Sequence, residues 1–126
     1  MLKVIFIFAG ISGLVSVVLG AFGAHGLRGK LDERMMHAFE TGVNYQMTHT
    51  LALLICCLFI QQWGKHWSLE YAAYSFTLGI FLFSGSLYLL AMTGMKWLGP
   101  ITPIGGLCLI IGWCFLTIGI WRNNSF

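Results

Sequence analysis

Four apolar runs are separated by short polar or glycine-containing breaks. A bilayer's hydrocarbon core is about 30 Å thick and takes about 20 helical residues to cross. The runs predict helices over residues 4–24, 32–61, 69–93 and 103–121. The first break, 26–30, is a basic glycine-rich turn, and Asp32 after it is placed to cap the second helix with Glu33 at its positive end. In the second break, Trp63 and Trp67 read as interfacial anchors. Ser68 is the expected N-cap of the third helix, with Glu70 in its first turn. Thr102 and Pro103 read as N-cap and first residue of the fourth. Residues 122–126 make a short polar end. Breaks this short make successive helices antiparallel neighbours. The expected fold class is therefore all-α: an integral-membrane four-helix bundle, one transmembrane domain over 1–126, with both termini on one side.

The second run differs from the others. A helix over 32–60 would be roughly 44 Å long, so its first third should be wet or interfacial. On a 3.6-residue wheel Glu33, Arg34, His37, Glu40, Thr41, Asn44, Tyr45 and Thr48 share one side, an arc of roughly 140°. Gln46 and His49 lie off that stripe but at membrane depth. Polar groups inside a membrane need partners, so the stripe is expected to point into the bundle, with His25 and Glu40 near its mouth. Its expected partners are Ser and Tyr residues of the third helix and the small face of the first.

Small residues mark two packing faces. Ser12, Ser16, Gly20 and Ala24 recur every four residues on the first helix, and Gly105, Gly112 and Gly119 fall seven apart on the fourth. Both spacings line one side of a helix and let backbones approach closely. The first stripe also weighs against reading residues 1–24 as a cleaved signal peptide, as does an apolar run longer than the usual h-region. A cleaved segment needs no packing face.

Composition agrees with the pattern: 58% of the 126 residues are hydrophobic and 9% charged, against about 25% charged in soluble domains. The net charge of +3 is too small and too scattered to suggest nucleic acid. Lys3, Lys65 and Arg122 fall on the side of the termini and Arg28, Lys30, Arg34 and Lys96 on the other. That near-balance favours, by one residue, cytoplasmic first and third loops. Cys56, Cys57, Cys108 and Cys114 lie inside apolar runs without metal-binding spacing and read as apolar filler, with a cross-helix pair as the alternative.

Candidate chemistry is confined to the second helix. The bland reading of His49 is a neutral imidazole bonded to a Tyr, Ser or Thr of a neighbouring helix; the sharper one is a ligand or proton relay. His37 and His49 are about 18 Å apart along one helix and cannot ligate one haem iron together. His25 and His37 could meet near the first loop. Glu40 reads as paired with Arg34, His25 or water at the rim, not as the deep acid of a proton-coupled transporter. Ser84 and Ser86 have no acid or base on their own helix. No catalytic constellation is recognisable, and the expectation is no enzyme, no cofactor and no metal.

Four blocks resemble one family. The segment Gly20-Ala-Phe-Gly-Ala-His-Gly-Leu27 is similar to the end of the first helix in the YgdD-like family of small bacterial inner-membrane proteins. The run Phe39-Glu-Thr-Gly-Val-Asn-Tyr-Gln-Met-Thr-His-Thr-Leu-Ala-Leu53 resembles its second-helix signature, with Thr50 where a smaller residue is expected. Residues 83–88 and 98–106 resemble its third and fourth blocks, in the same order. The resemblance implies a multi-pass protein of the bacterial cytoplasmic membrane, of unknown biochemical function and with no catalytic residues. The expected role is structural or accessory; the alternative is a small transporter or ligand binder with a polar pocket on the second helix. Expected partners are the lipid bilayer and a homo-oligomer or membrane-protein partner, not nucleic acid.

Overall fold

The computed structural model describes residues 1–124, and the last two residues of the polar end lie outside the described residues. Helix α1 spans Leu2–Phe22 and continues through a widened π-helical turn, Gly23–Leu27. Helix α2 spans Glu33–Trp63, α3 Trp67–Gly79, α4 Gly85–Thr93 and α5 Ile101–Trp121. A second π-helical turn, Ile80–Ser84, joins α3 to α4 without a break, so together they form one span. Among the described residues four helical spans are long and apolar enough to cross a membrane: Leu2–Leu27, Glu33–Trp63, Trp67–Thr93 and Lys96–Trp121.

The ends follow local chemistry. Asp32 caps α2 by accepting from Met35 N at 2.7 Å. The third span starts earlier than expected, because His66 replaces Ser68 as its cap. Ser68 N donates to His66 Nδ1 at 3.3 Å, and the Ser68 hydroxyl lies 2.7 Å from the same atom inside the helix. Helix α5 also starts early, at Ile101, and Thr102 bonds Ser86 of α4 at 2.5 Å instead of capping. Gly94 closes α4 in the left-handed region, φ 70°, donating its N–H to Leu90 O at 2.8 Å, a conformation that costs other residues more than glycine.

Helix α1 packs on α2, α5 on the third span, and α2 and the third span lie against each other. Met1, Lys65 and Glu70 border one cleft, and Lys65, His66 and Arg122 another. Both ends of the described chain therefore share the α2–α3 loop's end of the molecule. The outside is apolar, with Val4, Ile7, Leu14, Leu58, Leu78 and Ile110 more than half exposed. Charged side chains collect at the two ends. A surface of this kind is stable against lipid and not against water.

Between helices in lipid, close van der Waals fit replaces the hydrophobic effect as the adhesive. The α3–α5 seam is built from glycine against bulk. Gly112 is buried, and a Cβ there would come within 2.7 Å of the Phe76 ring. At Gly119 a Cβ would strike Leu69, and at Gly79 it would strike Leu109. Gly105 is tighter still: its Cβ would overlap the backbone of Leu82 and Phe83 within the π-helical turn. On α1, Ser12 and Ser16 are buried against α2 and Gly20 is half-buried, its Cβ position 3.5 Å from Val43. Ala24 is exposed, because the widened turn carries it off that face.

Candidate functional site: a polar layer at mid-membrane

The inner face of α2 is Phe39, Gly42, Gln46, His49, Leu53, Cys56 and Ile60, all buried. Its steps alternate between three and four residues, the period of a coiled-coil seam. Polar side chains occupy the middle of this face, so the polar layer sits near the centre of the span.

One network joins α1, α2 and α4. Gln46 Nε2 donates to Ser12 O and meets Ser12 Oγ, both at 3.1 Å. Tyr88 OH donates to Gln46 Oε1 at 2.5 Å. Ser12 Oγ and Thr50 Oγ1 are 2.7 Å apart, and Ser16 Oγ donates to Ser12 O at 2.8 Å. Glycine makes room for the tyrosine: a Cβ on Gly42 would lie 2.8 Å from the Tyr88 ring. The Gly42 carbonyl is itself used, accepting from Ser84 Oγ at 2.7 Å.

A second network joins α2 and α5. Trp113 Nε1 donates to His49 Nε2 at 3.0 Å, and His49 Nδ1 lies 2.8 Å from Tyr45 O. An indole can only donate and a carbonyl can only accept. His49 therefore carries its proton on Nδ1 and is neutral, with both ring nitrogens engaged. The Tyr45 and Trp113 rings flank it at centroid separations of 5.6 and 5.9 Å. Both partners differ from the Tyr, Ser or Thr of a neighbouring helix that the sequence suggested.

The stripe expected to point inward faces outward. Glu33, Arg34, His37, Glu40, Asn44, Tyr45 and Thr48 are exposed, and Thr41 is half-buried. His25 is exposed in the first π-helical turn. Of the polar residues nominated on α2, only Gln46 and His49 put their side chains into the interior networks, and Tyr45 takes part through its carbonyl. The reason is steric: Phe39, Gly42 and Leu53 give α2 a face that fits its neighbours, and the stripe on the opposite side offers no such fit. Tyr45 lies along the surface with its ring 4.5 Å from that of Phe83.

The sequence reading missed Trp113 and Thr50 as network members. The alternating three- and four-residue spacing through Gln46 and His49 is the signal that would have found the inner face. Among the described residues no three His, Cys, Asp or Glu side chains come together as metal ligands. A lateral cleft of about 500 Å³ lies between α2 and α5, bordered by Tyr45, Thr48, His49, Phe83, Gly106 and Trp113. At the first-loop end Arg28, Asp32, Glu33, Arg34, His37 and Glu40 border an open depression of mixed charge.

The family model described as "Protein of unknown function (DUF423)" matches residues 19–106. The chain is 43% identical to the UPF0382 membrane protein SH2409 of Staphylococcus haemolyticus, over 96% of this chain and 98% of that one. It is 41% identical to the UPF0382 membrane protein YwdK of Bacillus subtilis, over 93% and 95%. It is 40% identical to the UPF0382 inner membrane protein YgdD of Escherichia coli, over 92% and 88%. No solved structure matches the chain. None of these three relatives carries an enzymatic name. Four spans of sufficient length and these relatives make it a multi-pass protein of the cytoplasmic membrane. The chain belongs to the DUF423 family of small membrane proteins, whose biochemical role is unknown.

Proposed function

We propose that the protein is a structural or accessory component of the cytoplasmic membrane, and that its polar layer holds the four spans in register instead of processing a substrate. The carrying observation is closure: among the described residues every buried side-chain nitrogen and oxygen already has a hydrogen-bond partner. A substrate site in lipid keeps polar groups available for its ligand, because an unsatisfied group there costs several kcal/mol. The test is a deletion strain complemented by variants. Under this reading Gln46→Leu, Tyr88→Phe and His49→Ala lower the melting temperature and still complement wherever protein accumulates. Loss of complementation by Tyr88→Phe or His49→Gln with unchanged abundance and melting sinks it.

The lateral cleft supports a second reading, a binder of an apolar ligand drawn from the bilayer. Its volume falls in the usual range for small-molecule sites, about 300–1,000 Å³, and its walls are aromatic. Mass spectrometry of lipids retained after mild extraction distinguishes the two. A single species lost on Gly106→Phe favours the binder; bulk phospholipid alone favours the structural role.

A further inference from the structure

We propose that the cleft between the α2–α3 loop and the end of α5 is a binding site for the phosphate headgroup of an anionic phospholipid. The inference goes beyond the structural reading and stands or falls independently of it.

The argument starts from charge. The cleft has a volume of about 440 Å³ and is bordered by Gln62, Lys65 and His66 from one segment and by Arg122 and Asn124 from another. No Asp or Glu borders it. Among the described residues the Lys65 and Arg122 side chains make no hydrogen bond or ion pair. Glu70 borders a neighbouring cleft that Lys65 shares, and the two do not pair. The opposite end of the molecule differs, because there Arg28 and Arg34 share their depression with Asp32, Glu33 and Glu40, which balance them. A cation beyond a helix C-terminus can do no more than offset the helix dipole, roughly half a charge. Helices α2 and α5 end at this cleft and α3 begins there. The three dipoles sum to about half a negative charge, against the two full positive charges of Lys65 and Arg122. Positive charge is left over for a ligand.

The lining also has the donors a phosphate needs. A guanidinium makes two parallel bonds to phosphate oxygens, and an ammonium adds a compact charge. His66 Nδ1 accepts from Ser68 N, so the neutral ring carries its proton on Nε2 and donates there. Gln62 and Asn124 add amide N–H groups.

Depth identifies the source of the phosphate. Trp63 ends α2 and borders the cleft, Trp67 follows His66, and Trp121 precedes Arg122. Tryptophan settles at the level of lipid headgroups. Each segment that builds the cleft is therefore held in the layer where the bilayer's own phosphodiesters lie. Basic pockets between spans hold anionic headgroups in this way.

The experiment is native mass spectrometry of the detergent-purified chain titrated with phosphatidylglycerol or with zwitterionic phosphatidylethanolamine. Phosphatidylglycerol should stay bound under conditions that strip phosphatidylethanolamine. Lys65→Gln and Arg122→Gln should each weaken that binding about fivefold, the scale of one basic residue at an anionic surface. Lys65→Arg should keep it. Lys3→Gln, which removes a charge from the same end but outside the cleft, should leave it unchanged. A rise in melting temperature on adding phosphatidylglycerol, absent when Lys65→Gln and Arg122→Gln are combined, is the second readout. Equal retention of the two lipids overturns the proposal, as does equal loss in Lys3→Gln or undiminished binding by the doubly substituted chain. Glycerol 3-phosphate binding as tightly as phosphatidylglycerol assigns the cleft to a soluble phosphate and overturns the lipid assignment. So does lipid binding that appears only when a neutral Gly-Ser extension follows Phe126, since the chain's own terminal carboxylate is then the anion.

Discussion

Two adjacent glycines give opposed expectations for the same substitution. Gly105 and Gly106 both lie in the first turns of α5, and alanine gains about 1 kcal/mol over glycine in a helix at either. At Gly106 the added methyl lies 3.6 Å from the Phe83 ring, an ordinary contact. Gly106→Ala should be neutral or stabilise by up to about 1 kcal/mol. At Gly105 the methyl would lie 2.7 Å from both Leu82 C and Phe83 Cα, and closer still to Phe83 N. These are backbone atoms held by the π-helical turn, so no rotamer change relieves the overlap. Overpacking costs about 1–3 kcal/mol where side chains can shift, and the upper part of that range applies where they cannot. After the propensity gain, Gly105→Ala should destabilise by about 2 kcal/mol and differ from Gly106→Ala by about 2–3 kcal/mol. Reversible unfolding in mixed micelles, titrated with a denaturing detergent and followed by tryptophan fluorescence, resolves that gap. If both variants unfold at the wild-type midpoint, α5 does not rest on the third span at Gly105.

Further outcomes follow from the same packing. Gly112→Leu should fold poorly, because the added side chain enters the Phe76 ring 2.7 Å from the Cβ position, whereas Leu109→Val should cost about 1 kcal/mol; yield and melting temperature compare them. A double-mutant cycle of Ser12→Ala and Thr50→Ala should give a coupling of about 0.6 kcal/mol, the average for hydrogen bonds within a membrane, and a value of zero removes their 2.7 Å contact. Nitrogen chemical shifts of His49 should report a proton on Nδ1, and Trp113→Phe should change the Nε2 resonance; an Nε2–H tautomer in wild type contradicts the Trp113 bond. Reagents that cannot cross the membrane should reach a tag before Met1 and one after Asn124 from the same side, and a cysteine at Gly29 or Met95 from the other.

How much of this was legible in the sequence depends on the physics involved. The spans were, because crossing a bilayer demands a length of apolar helix that hydropathy measures directly. Their ends shifted where a specific side chain decided the matter, as when His66 took the capping role from Ser68. The small-residue positions Gly105, Gly112 and Gly119 lie against Phe83, Phe76 and Leu69, where their lack of a side chain matters. Orientation of α2 was not legible. Its two faces share the same period, one running through Gln46 and His49 and the other through Asn44 and Leu51. Polarity alone favoured the richer stripe as interior, but van der Waals fit around Gly42 and Phe39 decides which face the bundle takes. The pairing of His49 with Trp113 spans 64 residues and no local pattern encodes it. The two widened turns are equally silent in the sequence, although one of them sets the position of Ser84 under the Gly42 carbonyl.

The order in which hydrogen-bonding groups leave the ribosome gives the polar layer a temporal meaning. Ser12, Ser16, Gln46 and Thr50 all belong to the first two spans, and their bonds to one another need no residue of the later spans. A nascent hairpin of α1 and α2 can thus partition from the translocon into lipid with most of its polar burden already neutralised. Three acceptors on α2 are met by donors encoded later: the Gly42 carbonyl by Ser84, Gln46 Oε1 by Tyr88 and His49 Nε2 by Trp113. The vacant acceptors on the early hairpin act as docking addresses for the later spans, read in turn by a serine hydroxyl, a phenol and an indole.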